Sequence, residues 1–153
     1  MAEFKFKLEP VLKQRKQLED QAQRDLAQLL RHQMILENQL RDMQQTINTN
    51  KHALTDVLKS TVEVSHVRQH GVHVNHVRAK AQQIVLQMLA LNRQIDNARA
   101  VLQQAMKQRK AIELLRDKQY EDWRKTTLKR EALELDEIST QQYIRRHLEG
   151  VIS

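Results

Sequence analysis

The sequence predicts an all-α protein: two long helices folded back as an antiparallel coiled-coil hairpin, the second helix longer than the first. Three observations predict it. The chain has 153 residues but only 2 Gly, 1 Pro, 1 Trp, 2 Tyr and 2 Phe, so turn formers and bulky core fillers are both scarce. Leu, Ala, Gln, Lys, Arg and Glu, all good helix formers, make up much of the rest. Finally, apolar residues recur at alternating steps of four and three, the period of a coiled-coil seam, in two separate stretches.

Helix one is expected over residues 10–57. Pro10 suits a first turn, where a missing N–H has no partner to lose. The ladder then runs Ala22, Leu26, Leu29, Gln33, Leu36, Leu40, Met43, Ile47, Asn50, Leu54, Val57. Upstream, Leu8, Val11/Leu12 and Leu18 continue it as an apolar stripe of drifting phase. The pattern breaks over "DVLKSTVEVS", where β-branched residues and serines gather. A turn is placed at 58–65, with Ser65 as N-cap of the next helix and Ser60 with Glu63 as a weaker capping box.

Helix two is expected over 66–147. Its ladder runs Val77, Ala81, Ile84, Met88, Leu91, Ile95, Ala98, Leu102, Ala105, Arg109, Ile112. The arms come to about 70 Å and 120 Å at the helical rise. Pairing residue 57 opposite 66 puts residue 10 opposite 113, where the clean heptad of helix two stops. Beyond it, Leu114, Leu115, Tyr120, Trp123, Leu128, Leu133, Leu135, Ile138, Tyr143 and Ile144 have no helix left to pack on. Such surface is frayed or awaits a partner. The whole chain, 1–153, reads as one elongated coiled-coil domain.

Composition excludes several function classes. With no cysteine there is no disulfide, thiolate metal site or thiol nucleophile, which fits a reducing compartment. No apolar run approaches the ~18 residues of a membrane span, and "MAEFKFKLEPVL" lacks the apolar stretch of a signal peptide. These features read as a soluble, intracellular chain. The net charge is +7. Its densest basic patch, 99–118, suits a nucleic acid or an anionic membrane, and equally a solvated helix face. A nucleic-acid partner is not expected, because interleaved aromatics and a separate reading module are missing.

"HVRQHGVHVNHV" holds four histidines around Gly71. His66, His70 and His73 are spaced i, i+4, i+7, one helical face. Imidazoles so placed suit Zn²⁺ or Ni²⁺, but cysteine is absent and Glu63 is the sole nearby acid, a poor ligand set. No metal is expected. A proton-sensitive contact and a plain exposed face in the first turns of helix two are the other readings. Gly71 costs its helix about 1 kcal/mol relative to Ala, marking a flexible segment or a close approach by a partner. No glycine-rich phosphate loop or nucleophile arrangement occurs, and no catalytic or cofactor-binding residue is assigned. Trp123 is either an anchor for a partner's pocket or packed against a bend in the chain.

The opening "FKFKLEPVLKQRKQLEDQAQRDLAQL" resembles the N-terminal signature of FliJ-type flagellar export proteins, through Phe4, Phe6, Leu8, Glu9, Val11, Leu12, Arg15 and Glu19. "SHVRQHGVHVNHVRAKAQQI" resembles the start of that family's second helix. "KREALELDEISTQQYIRR" resembles its charged C-terminal segment, through Glu134, Asp136, Glu137 and Arg145. The chain departs from the family in carrying His70 and His73 where aromatics are usual.

The resemblance implies a non-enzymatic stalk, similar to the central shaft of rotary ATPases. Implied partners are the hexameric flagellar export ATPase, an export gate membrane protein and export chaperones. The implied place is cytoplasmic, peripheral to the inner face of the cell membrane at the flagellar base. The chain alone is expected to be a monomer without a cofactor. Phe4, Phe6, Leu8, Arg15, Trp123, Leu135 and Ile138 are the candidate ATPase end. His73, Val77, Lys80 and Ile84 are the candidate gate-facing surface. The alternatives are the equivalent stalk of a virulence type III secretion system, or a basic coiled coil that binds nucleic acid or serves as a scaffold.

Overall fold

The computed structural model describes residues 3–59 and 63–152, with the backbone alone for Ile152. Two helices account for almost all of them: α1, Glu9–Leu58, and α2, Val64–Ile152. They pack against each other and α2 is the longer, as the periodicity predicts. The chain divides into two compact units, Leu18–Met106 and Met1–Gln17 with Lys107–Ser153.

In the unit Leu18–Met106 the seam is the predicted ladder. Leu36, Ile84, Leu91 and Ile95 form the buried core, with Leu26, Leu29, Leu40, Met43 and Met88 packed on it. Each of these lies on the four-three repeat, which keeps one stripe of a helix facing its neighbour. A polar rung crosses beside the apolar ones, where the Gln33 amide donates to Asn92 Oδ1 at 2.9 Å. Towards the turn the seam thins. Leu54 is half-buried, but Val57, expected on the ladder, is 41% exposed. There Val57 borders a groove that it shares with Glu63, His66 and His70, whose polar side chains cover a valine less than an apolar rung would.

The start of α2 corrects the expected cap. The helix begins at Val64, so Ser65 lies inside its first turn. Glu63 is the residue before the helix: its carbonyl accepts the His66 N–H at 3.1 Å. Its carboxylate accepts a long 3.5 Å bond from the Ser65 hydroxyl. A serine one position too late turns its oxygen back to the preceding acid. Ser60, the other half of the expected box, lies outside the described residues.

Gly71 sits within α2, and a Cβ built there meets nothing within 4 Å. No glycine among the described residues has a positive φ. Neither a close approach nor an unusual conformation requires it, so Gly71→Ala is expected to stabilise the fold by about 0.5–1 kcal/mol. A rise in the urea midpoint without a change in slope checks this.

In the other unit, the first turns of α1 lie against the second part of α2. Glu9 opens the helix as the acidic residue of its first turn, where the macrodipole favours it. Pro10 follows in that turn. Leu12 is 1% exposed, the most deeply buried large side chain among the described residues. The Arg15 guanidinium donates to Gln108 Oε1 at 2.7 Å, and Glu9 faces Arg116 at 3.6 Å. The expected pairing of residue 10 with 113 is within one turn of this register.

The upstream stripe differs from expectation. Leu18 is 47% exposed. Leu8, Leu12, Arg15, Glu19 and Ala22 are instead the covered positions, which is the four-three repeat carried back without drift. Two polar residues occupy it: Arg15 is half-buried and Glu19 is 8% exposed. Following apolarity leads to Leu18; following the spacing leads to Glu19.

Candidate partner-binding surfaces

Among the described residues no group of three or more His, Cys, Asp or Glu side chains is placed to hold a metal ion. The four histidines are split rather than gathered. His70 is half-buried on the side facing α1, sharing a groove with Leu54, Val74 and Arg78. His66 is exposed, with Nε2 3.5 Å from Glu63 Oε2. His73 and His76 are exposed on α2's outer side, beside Arg68 and Val72. A helix turns about 100° per residue, so neighbours at i+3 and i+4 still differ enough for the seam to cut between them.

The residues of the candidate ATPase end fall into two groups. Phe4 and Trp123 are brought together, while Phe6, Leu8 and Arg15 are buried or half-buried at and before the first turns of α1. The Phe4 ring meets Tyr120 edge-on, with centroids 5.4 Å apart, and lies 5.8 Å from Trp123. Tyr120 and Trp123 stack on each other at 5.8 Å. Phe6 is buried, Leu8 half-buried, and Arg15 is engaged with Gln108. Trp123 therefore packs against its own chain's N-terminal segment. Leu135 and Ile138 stand apart from this group and are exposed.

Among the described residues, α2 beyond Trp123 has no buried side chain. Leu128, Leu133, Leu135, Ile138, Tyr143, Ile144 and Leu148 are all exposed, between 49% and 69%. Only Thr127 and Glu131 in this stretch are partly covered. Tyr143 stacks on His147 one turn later, at 4.9 Å, a contact within the helix itself. The charges come in blocks: Arg124, Lys125, Lys129 and Arg130, then Glu131, Glu134, Asp136 and Glu137, then Arg145 and Arg146.

The gate-facing candidates divide as well. His73 and Lys80 are exposed, and Val77 is half-buried at the seam. Ile84 is a member of the hydrophobic core, 8% exposed. The folded chain does not present Ile84 to a partner; the four-three ladder, which also contains it, describes its place. The surface around the other three is basic. Between Asp56 and Asp96 the sequence holds Glu63 as its sole acid, against Lys59, Arg68, Arg78, Lys80 and Arg93.

Two features escape a reading by heptads. Tyr120 is a member of the aromatic cluster, 43% exposed with Phe4 against part of it, and residues 3–8 supply that ring. Their signal was the alternation Phe4-Lys5-Phe6-Lys7, a period of two that puts both rings on one side. No helix of the described residues is long and apolar enough to cross a membrane.

The model of one protein family, described as Flagellar FliJ protein, matches residues 4–148. No curated protein matches the chain, and no solved structure matches it.

Proposed function

The chain belongs to the flagellar FliJ protein family, a non-catalytic component of flagellar export, and from that premise we propose that it is the central stalk of the export apparatus. In this role it links the hexameric export ATPase to the membrane export gate and meets export chaperones. It works on the cytoplasmic side, at the inner face of the membrane.

One observation carries the reading: α2 runs on past Trp123 with Leu128, Leu133, Leu135, Ile138, Ile144 and Leu148 uncovered. Bare apolar residues in quantity on a soluble helix mark a surface that another protein covers. Blocks of alternating charge along the same stretch fix the angle and register at which that protein accepts it. Leu135 and Ile138 belong to this surface, Phe4 and Trp123 lie at its root, and Phe6, Leu8 and Arg15 complete the proposed ATPase end. The test is co-purification with the export ATPase, with its ATP turnover read with and without this chain. Binding with stimulated turnover supports the stalk; no binding overturns it.

The gate is proposed to take the basic outer side of early α2, with His73, Val77 and Lys80 at the contact and Ile84 holding the helix from beneath. Val77→Asp combined with Lys80→Glu is expected to weaken gate binding at least tenfold while the ATPase still binds, because a reversed charge and a lost apolar contact each cost about 1 kcal/mol or more at an interface. Unchanged gate affinity would remove this surface from consideration.

A further inference from the structure

Residues 3–8 are neither helix nor strand for most of their length, yet they are placed by their side chains. Phe4 lies on Tyr120 and Trp123 at 5.4 and 5.8 Å, and Phe6 is buried, while Lys5 and Lys7 are exposed. The two-residue period turns one edge of the segment to α2 and the other to water. Among the described residues, the backbone hydrogen bonds outside the helices tie this segment to the start of α1 alone. These are Glu9 N–H to Phe6 O at 3.2 Å and Leu12 N–H to Leu8 O at 2.9 Å. No backbone bond among these joins it to α2. The segment is thus anchored at one end and laid on α2 by rings, a contact that can come away without unravelling either helix.

What it lies on is the root of the uncovered surface. Tyr120 and Trp123, followed along α2 by Thr127, Glu131, Leu135 and Ile138, recur at steps of three and four, so they share one side of the helix. With Phe4 in place, Trp123, Thr127 and Glu131 on that side are partly covered, Tyr120 is 43% exposed, and the fully open course begins at Leu135. With Phe4 gone, that side gains the covered parts of two aromatic rings, the residue types that most often anchor an interface.

We propose that residues 3–8 form an autoinhibitory strap, which withholds Trp123 and the part of Tyr120 against Phe4 from the protein that grips the end of α2 and is displaced when that protein binds fully. The proposal rests on the reading that the export ATPase takes this end. Affinity is then reduced by the fraction of chains with the strap open, so loosening the strap strengthens binding.

Trp123 is the sole tryptophan of the chain, so its fluorescence reports the strap directly. The experiment compares the full-length protein with Phe4→Ala and, as a control on the exposed edge, Lys5→Ala. Trp123 emission and acrylamide quenching are measured alongside affinity for the ATPase hexamer. Phe4→Ala is expected to red-shift the emission, to raise quenching about twofold and to tighten hexamer binding about fivefold, the gain that freeing a mostly closed site gives. Lys5→Ala is expected to change none of these.

Because the chain has no cysteine, Phe4→Cys with Tyr120→Cys offers a second arm. Bridging the pair with a short bis-maleimide is expected to weaken hexamer binding about tenfold by holding the site closed. Unchanged fluorescence in Phe4→Ala shows that no strap covers Trp123. Changed fluorescence with equal or weaker binding shows a strap that does not inhibit. If no form, opened or closed, binds the hexamer, the stalk reading fails and the inhibition with it, while the quenching still reports whether the segment lies on Trp123.

Discussion

A chain ended after Trp123 is expected to lose the export ATPase and to keep its melting transition. Among the described residues from Arg124 to Val151 no side chain is buried; Leu128 is 53% exposed, Leu135 64% and Ile138 51%. Exposed side chains contribute little, so removing them shifts the stability of the hairpin by about 0.5 kcal/mol or less. Far-ultraviolet circular dichroism should lose helical signal with no fall in midpoint. The effect on binding should be large. Two or three apolar anchors at about 2 kcal/mol each amount to a loss of about a thousandfold or more. A truncated chain that still binds the hexamer at full strength would move the contact elsewhere. A truncated chain that melts several degrees lower would mean the stretch packs on the rest of the molecule.

Ile95→Ala is expected to cost about 2–5 kcal/mol, the range for deleting a buried isoleucine where the surroundings close only in part. Ile95 is 3% exposed and belongs to the cluster of Leu36, Ile84 and Leu91. A two-layer seam has no second shell of side chains to move in, so the cavity stays. Leu86→Ala is the control. Leu86 stands on the same helix at 66% exposure, and its truncation should change stability by about 0.5 kcal/mol or less. Urea denaturation of the two variants side by side measures the difference. Equal costs would mean that α2 does not present its predicted stripe to α1.

That stripe was the most legible part of the sequence. Ala22 to Leu54 and Val77 to Ile112 were placed on the seam by spacing, and all of them are buried or half-buried. The repeat is readable because a coiled-coil-like pair imposes one geometric demand at every rung. The errors fall where that demand meets chemistry that spacing ignores. Leu18 was favoured for its apolarity although Glu19 held the phase. Ile84 stands both on the ladder and among the gate-facing candidates, and it lies in the core. Ser65 suits a cap by type, but the helix starts one residue ahead of it. The surface at the far end of α2 was legible as a surplus of apolar residues without an arm to cover them. Its aromatic cover was not, because Phe4 and Trp123 are distant in sequence and no local period links an extended segment to a helix.

The pairing of Arg15 with Gln108 also bears on motion. Sliding α1 along α2 by one heptad would set that guanidinium against Val101 or Leu115 in place of an amide oxygen 2.7 Å away. A half-buried cation without an acceptor opposes such slippage. Force applied to one arm then passes to the other as displacement and is not lost as creep between them.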